Sequence, residues 1–334
     1  MLLTIIYAVL IFCLLIVLHE FGHFMTAKLV GIRVNEFSVG MGPMLWHLQK
    51  GETEYSLRAF PIGGYVKMEG EDEESEDARA FHNKPVWARA LVLIAGSFMN
   101  LLSAIVIVTL LVLVLGVSTM VVGEVEPGMP AAEAGIEVGD RILSINGTEV
   151  KEWTEVSTCI GDTKEDTIKI VVERDGRRLA FDCATVRMED GRRVVGVTSQ
   201  PEHNVGLSLK SGVGCIGIWA KSMFGYLGQL VTGHGSMDDL VGPVGIVSLI
   251  HDQAKVGFVY VANLMAIISL NLAIINMLPL PALDGGRLLF LIIRCFTGKA
   301  ISDELEAKIH FAGLLLFFVL MIYLVFQDVG RFIL

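Results

Sequence analysis

The sequence lacks the cysteine spacing that marks a zinc cage or a disulfide-rich module. Its five cysteines are Cys13, Cys159, Cys183, Cys215 and Cys295, with no C-x-x-C pair among them. This scatter excludes a cysteine-built metal site and a dense disulfide framework. A disulfide between Cys159 and Cys183 stays open as an alternative if their segment faces an oxidising compartment.

Charge is also scarce, at 19% of the residues, and the formal net charge is −10 at pH 7. Nucleic-acid binding needs a basic surface, so we expect no nucleic acid among the partners. The chain shows no internal repeat and no long low-complexity tract. It is rich instead in hydrophobic residues, which make up 53% of the 334. A soluble enzyme of this length carries more charge and fewer unbroken apolar runs.

Several apolar stretches have about the length that crosses a bilayer, roughly 20 residues. We predict four spans, at residues 2–18, 91–116, 256–280 and 311–326. The first resembles a secretory signal, but no Lys or Arg precedes it and it continues directly into His19. We therefore expect a retained span within a polytopic, α-helical membrane protein that contacts lipid.

Lysine and arginine cluster in the loop between the first two spans and in the loop between the last two. They are Lys28, Arg33, Lys84, Arg89, Arg287, Arg294, Lys299 and Lys308. Such loops stay in the cytoplasm. We therefore expect a multi-pass protein of the bacterial cytoplasmic (inner) membrane, with both termini and residues 119–255 outside.

Residues 213–231 are apolar enough to form a fifth span, which would invert everything after them. Lys221, Gln229 and recurrent glycines interrupt the stretch. We therefore favour an interfacial amphipathic helix or a pair of short helices within residues 203–255, and keep the fifth span as the alternative.

Residues 119–202 have the composition of a β-rich α+β domain inserted between the second and third spans. A predicted helix ends at Gly135, Asn146-Gly147 suits a tight turn, and Arg174-Asp175-Gly176-Arg177 predicts a hairpin. The pattern A-G-apolar-x-x-G-D-x-I-apolar-x-apolar-N-G resembles PDZ domains attached to bacterial proteases.

We expect residues 121–125 to be the strand that lines the groove of this domain. Two roles are open: binding a newly exposed substrate C-terminus, or excluding proteins with large external domains. Glu124 is an unfavourable neighbour for a carboxylate and favours exclusion.

The loop between the first two spans contains strand-like pieces at 33–39, 55–60 and 65–68, the last two separated by Gly63-Gly64. The acidic run 71–77 is expected to be a solvated, mobile tip without chemistry.

His19-Glu20-Phe21-Gly22-His23 is an H-E-x-x-H motif at the end of an apolar helix. Residues i and i+4 share a helix face, so His19 and His23 can converge on zinc, while Glu20 can act as a general base toward water. Polar groups at membrane depth are costly and mark functional sites.

Two histidines leave a catalytic zinc one protein ligand short. Asp284 is the candidate, because Pro279 and Pro281 break the helix before it and Gly285-Gly286 permits unusual backbone angles after it. Broken backbone at membrane depth is tolerated where it lines a cavity. The charge rule places Asp284 near the same cytoplasmic face as the histidines.

H-E-x-x-H together with N-x-x-P-x-P-x-L-D-G resembles the site-2 protease family of intramembrane zinc metalloproteases, and the inserted PDZ-like segment resembles the RseP/RasP group within it. Residues 31–43 and 60–67 also match that group's membrane-associated β-hairpin region. One departure is Gly96-Ser97-Phe98-Met99-Asn100 in the second span, where the family often has Gly-Pro. We interpret Asn100 as structural.

The resemblance implies Zn²⁺ held by His19, His23 and Asp284, with Glu20 as the catalytic base. It implies that Asn276 binds the substrate. Asn271 is equally compatible with substrate binding and with interhelical hydrogen bonding.

The implied substrates are single-pass membrane proteins, such as anti-sigma factors or signal-peptide remnants. The strand-like pieces either pair with an unwound substrate or form a small covered sheet. In this interpretation residues 1–118 and 256–334 form the protease core.

Two other functions fit parts of the pattern. A PDZ-bearing membrane scaffold or chaperone would have no need of an intact motif. A metal transporter would show paired broken helices in two similar halves, which the sequence does not have.

Overall fold

A computed structural model describes residues 2–71, 73, 75–188, 191–236, 240–298 and 303–332. The chain divides into two compact units, one made of Met1–Val108 with Gly212–Leu334 and the other of Thr109–Ser211. The described helices are α1 Leu2–Leu29, α2 Val86–Leu115, α3 Pro130–Ala134, α4 Trp153–Gly161, α5 Val205–Val231, α6 Pro243–Val256, α7 Phe258–Asn276, α8 Asp284–Thr297 and α9 Asp303–Phe332. The described strands are β1 Val34–Lys50, β2 Thr53–Met68, β3 Val117–Val125, β4 Arg141–Ile145, β5 Thr148–Glu149, β6 Thr167–Arg174, β7 Arg177–Ala184, β8 Val186–Arg187, β9 Arg193–Val194 and β10 Val197–Glu202.

Four described helices are long and apolar enough to cross a membrane: α1, α2, α7 and α9. In the described residues, the four apolar stretches predicted as spans therefore fall mainly in helices long enough to cross a membrane. α5 is one continuous helix of 27 residues, so of the two alternatives favoured for 213–231 the pair of short helices is wrong, and a single helix is present. It is not among the four candidate spans.

The strands β1 and β2 form a bent hairpin, and the first part of β1 has paired neighbours on both sides. Residues 36–39 pair with 64–67 along one edge and with 54–57 along the other, and residues 44–50 pair with 53–58. The predicted piece at 33–39 is therefore internal. The outer edges are 64–68 and 44–50. The inner half packs on α1, whereas residues 41–50 are exposed and include Trp46.

The acidic run that follows β2 is not a free tip. Glu71 forms an ion pair with Arg287 of α8, and Asp77 lies 3.3 Å from Arg33 Nη1 and accepts a hydrogen bond from the Arg79 backbone. The expectation of a solvated, mobile tip was wrong for these residues, because composition does not reveal a distant partner. Asp72 and Glu74 lie outside the described residues.

The second unit contains a sheet with strand order β10-β3-β4-β6-β7. Its predicted turns are confirmed: Asn146 and Gly147 have φ of 48° and 81°, Asp175 and Gly176 have 52° and 75°, and Gly135 caps the C-terminus of α3 with φ of 90°.

Strand β3 is paired along both edges, so the prediction that 121–125 lines a peptide groove was wrong. The outer strand is β10. Glu124 on β3 therefore gives no reason to disfavour peptide binding. Cys159 and Cys183 are free, so no disulfide joins them.

Asp140 is the buried ionic centre of this unit. Arg174 binds it with two hydrogen bonds, Nε to Oδ1 at 2.7 Å and Nη2 to Oδ2 at 2.8 Å, and the Glu137 backbone N–H adds a third at 2.9 Å. Burial acts to raise the pKa of Asp140, but the Arg174 hydrogen bonds prevail and the pKa lies below its usual value.

We expect Arg174→Leu to destabilise this unit, because the 1%-exposed Asp140 carboxylate would lose its counter-ion. Amide hydrogen exchange in β4 and β6 of the full chain should accelerate by about tenfold or more. The exposed neighbour Arg178→Leu is the matched control and should leave exchange unchanged. Equal protection in both variants would contradict a stabilising role for the pair.

Candidate metal centre

His19 and His23 lie one turn apart on the buried face of α1. Their Nε2 atoms are 3.2 Å apart, and the residues are 9% and 7% exposed. The i, i+4 spacing predicted from sequence is thus realised on a helix that can span a membrane.

Asp284 joins the two histidines from a different part of the chain. α7 ends at Asn276, and the chain turns before α8 begins at Asp284. The Asp284 Oδ2 atom lies 3.1 Å from His19 Nε2 and 3.3 Å from His23 Nε2. The structure therefore brings the three predicted ligands together.

The turn that carries Asp284 is held in an uncommon backbone conformation. Ala282 has φ of 71°, which L-residues rarely adopt. Its backbone N–H donates to Nδ1 of His310 on α9 at 2.9 Å. A Cβ on Gly286 would collide with the backbone oxygen of Leu280, so the close turn requires glycine there.

The side-chain atoms of His19, His23 and Asp284 that face one another are suited to bind a cation. His23 Nδ1 donates to the Val92 carbonyl at 2.8 Å, so a neutral His23 presents a lone pair at Nε2. Asp284 Oδ2 is buried and makes no well-formed hydrogen bond with any described residue. Ligand atoms of His19, His23 and Asp284 lie within 4.8 Å of one another. Two imidazoles and a carboxylate are a ligand set of catalytic zinc.

Glu20 and Asn276 lie beside this centre. Glu20 lines both a cavity of about 590 Å³ and a smaller one of about 220 Å³, and the Val66 backbone amide of β2 faces its carboxylate. Asn276 lines the smaller cavity, with Nδ2 3.5 Å from His19 Nε2. Asn271 lies five residues earlier on α7 and lines neither cavity.

A stripe of residues on α2, which the motifs did not predict, forms the back of the centre. Val92, Gly96 and Asn100 follow one another at intervals of four residues, on one helix face. Val92 faces His23 and Asn100 faces His19, with Nδ2 of Asn100 3.3 Å from His19 Nδ1. A Cβ on Gly96 would lie closer than 3.0 Å to Nε2 of both histidines. The i, i+4, i+8 spacing was the available signal.

With this geometry established, comparison with known proteins identifies the family. A family model described as Peptidase family M50 matches residues 7–320. The chain belongs to peptidase family M50.

Relatives of this M50 peptidase match along nearly their whole length. A zinc metalloprotease RasP from Bacillus licheniformis is 32% identical over 414 positions, covering 98% of this chain and 99% of the relative. The regulator of sigma-W protease RasP from Bacillus subtilis is 30% identical, covering 98% of each. Because 414 positions exceed the 334 residues here, the first relative has residues without counterpart in this chain.

A protein of Clostridium acetobutylicum is 35% identical over 330 residues, covering 98% of this chain and 97% of the relative. Among solved structures, the PDZ domain of an SdrC-like protein from Listeria monocytogenes is 28% identical. It covers 25% of this chain and 86% of that chain, with a TM-score of 0.22.

Membership in M50 and the RasP relatives confirm two predictions from the motifs. The chain is a zinc metalloprotease of the site-2 type, and zinc is its cofactor. The interpretations as a non-catalytic scaffold and as a metal transporter are thereby set aside.

We expect Gly96→Ala in this M50 peptidase to remove zinc, because the added methyl group would occupy the space between the two histidines. Zinc content of the purified protein should fall well below that of the wild type. Gly217→Ala on α5, where a Cβ meets no atom within 4 Å, is the matched control and should retain zinc. Full zinc occupancy in Gly96→Ala would show that the histidines do not converge in this geometry.

Proposed function

We propose that this chain hydrolyses peptide bonds of single-pass membrane proteins within or at the edge of the bilayer. The observation that carries the proposal is the convergence of His19, His23 and Asp284 beside Glu20, at the end of a helix long and apolar enough to span a membrane. A membrane-depth site with this ligand set suits substrates that are themselves membrane-embedded.

In this proposal His19, His23 and Asp284 hold the zinc, which supplies Lewis-acid activation when bound. Glu20 is the general base. It takes a proton from the attacking water and can return one to the leaving amine. The side-chain amide of Asn276, next to His19, donates to the scissile carbonyl oxygen and orients it. Asn271 has no assigned part.

The outer edge of β2 is the proposed place where substrate backbone binds. Residues 65–68 line the larger cavity, and only the opposite edge of this segment is paired, with β1. A helical substrate has its carbonyls hydrogen-bonded and must be unwound before attack. Pairing with an exposed strand edge holds the unwound segment extended beside Glu20.

The proposed orientation follows from the Lys/Arg rule. It puts the zinc site near the cytoplasmic face of a bacterial inner membrane and the PDZ-like segment, residues 119–202, on the outer side. Single-pass proteins already trimmed outside would then be the substrates, such as anti-sigma-factor-like proteins or signal-peptide remnants. One relative is named a regulator of sigma-W protease, which agrees with the first class.

Glu20→Gln should abolish hydrolysis of a model membrane substrate while zinc content stays at the wild-type level, since the base is lost but the ligands remain. Zinc loss in Glu20→Gln would show that Glu20 is a ligand or a structural residue.

Asp284→Asn should lose zinc, because a neutral amide is a poorer ligand than a carboxylate. Normal zinc content and turnover in Asp284→Asn would remove Asp284 from the site.

The orientation can be tested with single cysteines in a variant without native cysteines, labelled by an impermeant thiol reagent. Lys164→Cys and Ser236→Cys should react from outside the cell membrane, and Glu73→Cys only after permeabilisation. Labelling of Ser236→Cys only from the cytoplasm would make α5 a fifth span and invert the placement of α7 and α9.

A further inference from the structure

Asn100 lies against the side of His19 that faces away from the proposed metal. It is 0% exposed, and its Nδ2 atom is 3.3 Å from His19 Nδ1. In this orientation the amide donates to the imidazole, and Oδ1 is left buried without a hydrogen-bond partner among the described residues. The two ends of an amide have nearly the same shape, so the same space accepts the group turned by 180°.

The two orientations put the His19 proton in different places. If Asn100 donates to Nδ1, the proton of neutral His19 lies on Nε2, which is 3.2 Å from His23 Nε2 and 3.1 Å from Asp284 Oδ2. That proton would occupy the space the metal needs. If Oδ1 accepts from Nδ1–H, His19 Nε2 presents its lone pair.

His23 shows the second arrangement without ambiguity. Its Nδ1 faces the Val92 carbonyl at 2.8 Å, and a carbonyl can only accept. Val92 and Asn100 lie eight residues apart on the same face of α2, opposite residues four apart on α1. The two histidines therefore have matched partners on one neighbouring helix.

A purely structural role for the Asn100 side chain is not needed to join the helices. α2 and α7 are joined by the hydrogen bond from Ser269 Oγ to the Asn100 backbone carbonyl at 2.8 Å, and Ser103 Oγ of α2 lies 2.6 Å from Ser269 Oγ. The Asn100 side chain is therefore available to bond His19.

We propose that Asn100 is a positioning residue of the metal centre, whose Oδ1 accepts the His19 Nδ1 proton and so holds the Nε2 lone pair toward zinc. Groups that hydrogen-bond the far nitrogen of a ligating histidine fix its tautomer and ring orientation. The inference rests on the proposed ligands of the metal.

Asn100→Asp and Asn100→Leu separate the accepting role from a donating or packing role. A carboxylate accepts from Nδ1–H but cannot donate, whereas leucine fills similar space and does neither. Zinc affinity of the purified full chain, measured by competition with a chelator, should stay near the wild-type value in Asn100→Asp. It should fall by about 10- to 100-fold in Asn100→Leu.

Ser269→Ala is the matched control, since it removes a hydrogen bond to the Asn100 backbone without touching His19, and its zinc affinity should equal that of the wild type. Wild-type affinity in Asn100→Leu, or a tenfold loss in Asn100→Asp, would overturn the proposal. A tenfold loss in Asn100→Asp overturns the proposal even if the leucine variant does not fold.

His19→Ala distinguishes failure of this inference from failure of the proposed site. If His19→Ala loses zinc but Asn100→Leu does not, only the role of Asn100 is refuted. If His19→Ala keeps full zinc affinity, the ligand assignment itself is wrong and the inference falls with it.

Discussion

Three potential ligand atoms from three positions of the chain face one another in this protein: His19 Nε2, His23 Nε2 and Asp284 Oδ2, at 3.1–3.3 Å. When both imidazoles present lone pairs at Nε2, these atoms repel one another unless a cation lies between them. Polar groups at membrane depth add a cost of roughly 2.5–3.5 kcal/mol for each charge. The surrounding core therefore has to hold the ligands in place against this repulsion, and much of its geometry follows from that requirement.

The two histidines and Asp284 are restrained by different helices. The α1 helix fixes the spacing of the two histidines, and α2 orients His23 through Val92 while Gly96 leaves room for the metal. Asp284 is restrained by α9, which is close in space but late in sequence. His310 accepts from Ala282, and a Cβ on Gly313 would collide with Pro281. The fourth candidate span thus has a structural role in the site although it contributes no proposed ligand.

The ligands could be predicted from sequence because zinc demands particular residue types at particular spacings, and H-E-x-x-H and the Pro-interrupted segment before Asp284 both meet that demand. The spacing of the α2 stripe was visible in the sequence but did not reveal its role, since valine, glycine and asparagine in an apolar helix have many uses. Long-range partners were also invisible: Glu71 pairs with Arg287, 216 residues away. The wrong prediction that residues 121–125 line the peptide groove has the same origin, because β10 at the end of its unit pairs with β3 at the beginning.

The position of Glu20 connects the metal ligands with the strand edge. On one side it neighbours His19 and His23 in sequence, and on the other it faces the Val66 amide of β2. An extended peptide paired along residues 65–68 would therefore run past the base and the ligand cluster together, with Asn276 across the smaller cavity. A helical peptide cannot form that ladder, because its own carbonyls are already engaged. In the proposed binding mode, pairing at this edge would favour the same unwound backbone that hydrolysis requires and would couple substrate selection to the chemistry.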